Sequence, residues 1–247
     1  MGKIQGVVTG QVTSVQDPDQ QGRVQVSFPY LGGQNQSTWA PVATLMAGGG
    51  RGSWFMPEVG DEVLVAFNQN DVGHPYIIGF LWNGQDQPPA SDITPSVRRI
   101  RTVSNHTIDF DDRGEQEKIT ITTHGGHVIE MNDAPGSETI SITTSGNQQI
   151  QLQDVPPSIT IQTAGQNQIM VSDVPSGISI LAPTGIVNVT CSVANVTADA
   201  ALSLTAAAVN VSAPITIFDG VVQAQTLIAD AVIGAAYTPA PGNLFGL

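Results

Sequence analysis

His124 and His127, in the run His124-Gly-Gly-His127, are the residues of this chain best suited to hold a metal, since neutral imidazole is a common ligand for transition ions. Two imidazoles do not complete a site, so a metal there requires further copies of the chain; threefold symmetry would bring six nitrogens together, enough for an octahedral ion. His106 occupies the phase of His127 one repeat earlier, so stacking of like positions accounts for one of the pair, and no bound metal is expected. Asp112, Asp133, Asp154 and Asp173 recur at steps of 21, 21 and 19 residues. Such carboxylates could hold cations, or hydrolyse a glycan if two of them flanked one bond and one had a raised pKa. Each also closes a short apolar strand, where Asp serves turns by accepting from nearby backbone N–H groups, and the turn role is the preferred reading. Arg98, Arg99 and Arg101 form the one basic cluster, a candidate docking point for an acidic hub or a neighbouring protomer. Cys191 is the single cysteine, so no intrachain disulfide is possible, and it is expected as a small buried residue. No catalytic residue and no cofactor is expected.

The elements that position these residues are strands. His106-Thr-Ile-Asp-Phe-Asp-Asp112 is echoed at 127–133, 148–154 and 167–173, and a second strand stands between copies as Ile119-Thr-Ile121, Ile140-Ser-Ile142, Ile159-Thr-Ile161 and Ile178-Ser-Ile180. A glycine follows each, at Gly125, Gly146, Gly165 and Gly185. Self-similarity at about 20 residues marks a stacked-repeat architecture. Strict alternation puts the aliphatic residues on one face and Thr, Ser, Gln and Asp on the other. From Ile186 the units shorten to six to eight residues, as in Leu202-x-Leu204, Val209-x-Val211 and Ile215-x-Ile217, which predicts a narrower rod.

Energetics extends this to assembly. A 20-residue repeat carries about four inward side chains, at roughly 1.5–3 kcal/mol each, against roughly 1–2 kcal/mol of backbone entropy per residue. One repeat cannot fold alone, and strands this short leave an open flank unless other chains cover it. Three chains, each giving one side, would close the structure, so a homotrimer is expected.

The chain has a formal charge of −13, and no Lys or Arg follows Lys118. That acidity argues against partners such as nucleic acid or anionic membrane. The N-terminal residues lack the apolar core of a secretory signal, and no run approaches the roughly 20 apolar residues that span a bilayer, so synthesis in the cytoplasm without stable membrane insertion is expected. Residues 1–90 are a different object from the rest. They hold all three tryptophans, Trp39, Trp54 and Trp82, and five expected strands at 6–15, 23–28, 38–45, 62–67 and 76–80, enough for a small closed barrel.

Within this region Gly22-Arg-Val-Gln-Val-Ser-Phe-Pro29, Trp39-Ala-Pro41, Ala47-Gly48, Phe55-Met-Pro-Glu-Val-Gly-Asp-Glu-Val-Leu-Val-Ala-Phe67, Asn70-Asp71 and Pro75-Tyr-Ile-Ile-Gly79 occur in that order. Together they closely resemble the oligonucleotide/oligosaccharide-binding (OB) barrel of contractile-tail spike proteins, the family of phage baseplate assembly protein V and the valine-glycine-repeat spikes of type VI secretion. The resemblance covers about residues 5–85. It implies an all-β chain with an N-terminal OB-fold barrel (1–85), a linker (86–105) and a C-terminal intertwined homotrimeric β-helix, its three chains coiled together by interchain strand pairing along the whole rod. That rod comprises the repeats of about 20 residues (106–185) and a narrow β-helix (186–236), and a C-terminal tip (237–247) follows. It further implies a non-enzymatic spike that pierces a target envelope, assembled into a virion tail or extracellular phage-like particle. The barrel would meet a hub, expected as a separate protein because the chain begins at the barrel. A small conical cap protein would seat on the tip, with Leu244, Phe245 and Leu247 as the docking residues. Iron near the tip is known in such spikes, yet the matching His-x-His is missing here and His124 and His127 lie near the rod base. A β-helical polysaccharide-degrading tailspike and a receptor-binding fibre are the alternatives.

Overall fold

The computed structural model describes residues 5–31, 36–89, 94–231 and 233–234, and among these every regular element except two single-turn 3-10 helices is a β-strand. By contacts the chain divides into residues 1–188 and 189–247.

The front of the first unit is a five-stranded antiparallel barrel. Its strands are β1 (Val7–Ser14), β2 (Arg23–Ser27), β3 (Ala40–Pro41), β6 (Glu62–Phe67) and β7 (Pro75–Leu81), in the order β3-β2-β1-β6-β7. A parallel bridge between Val42 and Ile77, with the Ala43 N–H donating to the Ile77 carbonyl at 2.8 Å, joins the two ends and closes the sheet. Alternation along each strand decides what faces inward: Val12, Val24, Val26, Val63, Val65, Phe67 and Ile77 are all buried, with Phe28 and Ala40 beside them. The Phe28 and Phe67 rings meet at a centroid distance of 5.7 Å with a tilt of 55°, an edge-biased geometry that aromatic quadrupoles favour. Four of the five expected strands fall within a residue or two of their predicted bounds. The fifth, expected over 38–45, shrinks to two residues, because beyond Pro41 the chain leaves the sheet for a small hairpin, β4 (Ala47–Gly48) with β5 (Arg51–Gly52).

Behind the barrel lie nine strands: β8 (Val97–Arg101), β9 (Thr107–Asp111), β10 (Lys118–Thr122), β11 (Val128–Asn132), β12 (Thr139–Thr143), β13 (Gln149–Gln153), β14 (Ser158–Gln162), β15 (Gln168–Asp173) and β16 (Ser176–Leu181). Each pairs antiparallel with the strand before and the strand after it, giving one sheet in sequence order. Two strands fall in each 20-residue unit. Its geometry differs from the expected coil: over 97–181 the strands pair within the chain as a meander, so interchain strand pairing is not what builds this part. The sheet also starts earlier than the expected rod boundary, since β8 lies inside the segment read as a linker. Arginine at three of its five positions masked the alternation.

Turn chemistry sets the repeat. In four hairpins, every second one along the sheet, Thr102, Thr123, Thr144 and Thr163 donate their N–H to the carbonyls of His106, His127, Gln148 and Asn167. Each threonine hydroxyl also accepts the N–H of that same residue, at 3.0–3.3 Å. The residue before the closing one has positive φ, at Asn105 (64°), Gly126 (82°), Asn147 (60°) and Gln166 (63°). This is a three-residue loop with a left-handed third position. The recurrent glycines at 125, 146 and 165 therefore sit one place before the residue whose conformation needs glycine-like freedom. Two of the loops put Asn and one puts Gln there, Asn tolerating that region better than most side chains.

Residues 189–231, the second unit's main described stretch, form no strand and are exposed throughout. The narrow β-helix expected over 186–236 is thus not built by one chain. Segments of six to eight residues are too short to fold back on themselves, so the chain alone offers their backbone no strand partner. Cys191 is correspondingly exposed rather than buried. The expected tip residues Leu244, Phe245 and Leu247 lie outside the described residues.

Candidate interfaces

Register places the aliphatic residues of the ladder in two unbroken rows. Ile100, Ile108, Ile121, Ile129, Ile142, Ile150, Ile161, Ile169 and Ile180 stand opposite one another across all nine strands. The second row runs Phe110, Ile119, Met131, Ile140, Leu152, Ile159, Val171 and Ile178, headed by Arg98 on β8. From Ile121 to Ile180 the exposed members of the first row keep 36–61% of their surface accessible, and among the described residues the ladder's only buried side chains are the polar Asp111 and Ser172. Nine strands therefore share an apolar face that one chain leaves uncovered. A continuous patch of this size marks an interaction surface.

The opposite face is mostly polar, with Val128, Met170 and Leu181 among its apolar members. Arg99 grips Asp109 across β8 and β9 through Nε at 2.6 Å and Nη2 at 2.7 Å, both side chains about one-fifth exposed. Lys118 meets Glu130 at 3.0 Å, and the row continues through Thr120, Ser141, Gln151 and Thr160. Arg98 pairs with Asp112, and Arg101 reaches Asn105 at 2.7 Å and the Pro89 carbonyl at 2.8 Å. The basic cluster read as a docking point thus lies on a strand, and each member has a partner in its own chain.

The histidines do not converge. Nδ1 of His106 accepts the backbone N–H of His124, and Nδ1 of His127 accepts that of Ser145, both at 3.2 Å. Each imidazole of this phase ties its hairpin to the next one in the stack, and among the described residues no three His, Cys, Asp or Glu side chains group as metal ligands. The recurring aspartates act through their backbone: Asp112, Asp133, Asp154 and Asp173 donate to the carbonyls of Ser96, Glu117, Glu138 and Pro157, extending each strand pair by one residue. The side-chain turn role expected of them falls one position earlier, where Asp111 accepts the Arg113 N–H at 3.1 Å and Asn132 accepts that of Ala134 at 2.9 Å. Asp111 is also held by the Arg113 guanidinium, which lowers its pKa to about 2 against the opposing pull of burial.

On the barrel, Asp17 organises the loop into β2. Its carboxylate accepts the backbone N–H groups of Asp19 and Gln21, at 3.1 and 2.9 Å, and the Arg23 Nε at 2.9 Å. The Arg23 guanidinium, with these amides, holds its pKa far below the usual range. Gly22 closes that loop at φ +72°, where a Cβ would stand 2.8 Å from the Trp54 ring. Apolar side chains gather nearby, Trp54, Phe55, Phe80, Leu81 and Trp82 exposed, Met56 partly so and Pro57 buried. Phe55, Met56, Pro57, Phe80, Leu81 and Trp82 line one open groove, and Met46, Trp54 and Phe55 help line another. The sequence reading missed this surface, although the concentration of tryptophan before residue 90 was its signal. In the same region Asp17, Asp19, Glu58, Asp61, Glu62, Asp71 and Asp86 outnumber Lys3, Arg23 and Arg51, which is the wrong balance for a strand-binding OB face.

The molecule is thus a small closed barrel with a core, followed by a coreless antiparallel ladder, an arrangement of scaffold and interface. Residues 8–82 match the family model of the Type VI secretion system/phage-baseplate injector OB domain. The chain is similar to the type VI secretion system spike protein VgrG1a of Pseudomonas aeruginosa, 36% identical over 75 residues, which is 29% of this chain and 12% of that protein. VgrG4b of the same organism is 30% identical over 132 residues, 49% of this chain and 16% of the relative, more than the barrel alone can supply. The Vibrio cholerae protein named actin cross-linking toxin VgrG1 is 29% identical over 111 residues, 41% of this chain and 10% of that one. The chain spans between a tenth and a sixth of the length of these curated relatives.

Proposed function

We propose that this chain is the central spike of a contractile phage tail or phage-like injection system, working as a homotrimer without catalysis. The ladder's uncovered apolar face carries this reading. Covering the remaining half of each side chain in the two rows is worth about 1 kcal/mol apiece, and three ladders turned inward supply that cover to one another. The injector OB domain at residues 8–82 and the likeness to spike proteins give the machine in which such a trimer serves. The barrel seats on a trimeric hub, its exposed Trp54, Phe55 and Trp82 surface and the two-thirds exposed Arg98 side chain being placed to meet hub or neighbour. Residues 186–236 continue as a narrow intertwined β-helix, in which strands from three chains supply the pairing one chain lacks. At its end Leu244, Phe245 and Leu247 receive a small conical cap protein. The protein is made in the cytoplasm and assembled into the particle.

Sedimentation equilibrium at micromolar concentration tests the reading. A single species of three chains is expected, and a stable compact monomer overturns it.

A further inference from the structure

The two lateral edges of the ladder differ in chemistry, and the difference follows from which hairpins lie on each. One edge carries the loops 102–106, 123–127, 144–148, 163–167 and 182–185, with no Asp or Glu in any of them and with His106, His124 and His127 exposed. The other edge carries the connections from 112, 133, 154 and 173 onward, where the carboxylates Asp112, Glu115, Glu117, Asp133, Glu138, Asp154 and Asp173 stand with one base, Arg113, among them. Turns also alternate. On each edge a loop projects at every second strand, and the two edges are out of step by one strand, about 4.8 Å.

Resting on the trimer reading above, we propose that the acid-free edge of each ladder interlocks with the acidic edge of the next protomer, closing a parallel ring. Cyclic symmetry with the apolar faces inward joins unlike edges at every corner, as a heterologous interface requires. It applies no shift along the axis. Each loop of one edge therefore falls opposite the gap between two loops of the neighbour's other edge. The loop holding His124 and His127 enters between the partner's connections at 112–117 and 133–138, and the loop at Ser145 enters between those at 133–138 and 154–157. Acidic loops meet Thr, Asn, Gln and His, whose hydroxyls, amides and ring nitrogens can donate to carboxylates, and carboxylate never faces carboxylate. An arrangement that put like edges together would stack the acidic residues of two chains against each other, which is repulsive.

Cross-linking the full chain tests this. In a Cys191→Ser background, Ser145→Cys and Ser137→Cys place one thiol on each edge; both serines are exposed. Within one chain β12, five residues at about 3.4 Å each, separates the two positions, beyond the reach of a short bismaleimide. The double variant is expected to become a covalent trimer on treatment with that reagent, while each single-cysteine variant stays uncoupled. A trimer by sedimentation that yields no covalent product, or single variants that couple as dimers, overturns the edge pairing and leaves the trimer standing. A monomer by sedimentation overturns both.

Discussion

Asp17 and Asp111 show what a single carboxylate does in a chain this short of basic residues. Both are held below the ordinary carboxylate value, chiefly by an arginine hydrogen-bonded to the carboxylate, Arg23 in one case and Arg113 in the other. A depressed folded pKa contributes stability that is complete above the unfolded value and lost as pH falls through the folded one. For Asp111 that window runs from its ordinary 3.8 down to about 2. Thermal unfolding should therefore lose midpoint between about pH 4 and pH 2 in the parent chain, and Asp111→Asn should show a flatter profile with a lower plateau near neutrality. A parallel, unflattened profile would show that the pair contributes nothing. Gly22 gives a second test at this scale. Its positive φ makes Gly22→Ala cost about 1–2 kcal/mol in backbone terms alone, with the Trp54 ring forced to move as well. Differential scanning calorimetry should place that loss in the barrel transition.

At the scale of elements, the ladder is where sequence and structure agree most. Period-two alternation and a 20-residue repeat were enough to place β9 to β16, because each strand is short, regular and flanked by turn residues. β8 escaped because Arg98, Arg99 and Arg101 occupy a strand whose partners, Asp109 and Asp112, sit in the next strand and just beyond it, a cross-strand relation that no local pattern displays. The recurrent glycines showed where the turns lie but not their left-handed position, which falls one residue later. Pairing within the chain was illegible for a related reason: the same alternation serves a meander and an intertwined coil equally. The Ile row makes the element testable. Ile142→Asp should abolish the trimer by light scattering while leaving strand content by circular dichroism, whereas Ser141→Asp on the polar face should leave the trimer intact. Ile142→Ala should lower its dissociation midpoint, at about 2 kcal/mol or more per chain if the site is fully covered.

For the whole molecule, the division between a barrel with a core and a ladder without one assigns stability and assembly to different regions. A fragment ending at residue 89 should fold and remain monomeric, since the barrel buries its own Val, Phe and Ile side chains. A trimeric fragment would move assembly out of the ladder. Trypsin has no site beyond the Lys118–Ile119 bond, Lys118 being the last Lys or Arg, so pepsin and chymotrypsin are the informative probes. Under native conditions they should leave residues 118–181 intact in the assembled protein and digest them once Ile142→Asp has separated the chains. The charge bears on this scale as well: with a formal charge of −13 per chain, the proposed trimers would repel one another.

The order of the ladder, in which every strand lies beside the one made just before it, also fixes the timing of assembly. Contact order within the sheet is low, so a nascent chain can form each hairpin as it leaves the ribosome, without waiting for distant sequence. In the proposed trimer, the encounter of three such chains would be a later, concentration-dependent step. Refolding should accordingly show a fast phase indifferent to dilution, followed by a slow one that dilution retards, and the interval between them is when a newly made protomer is most exposed to misassociation.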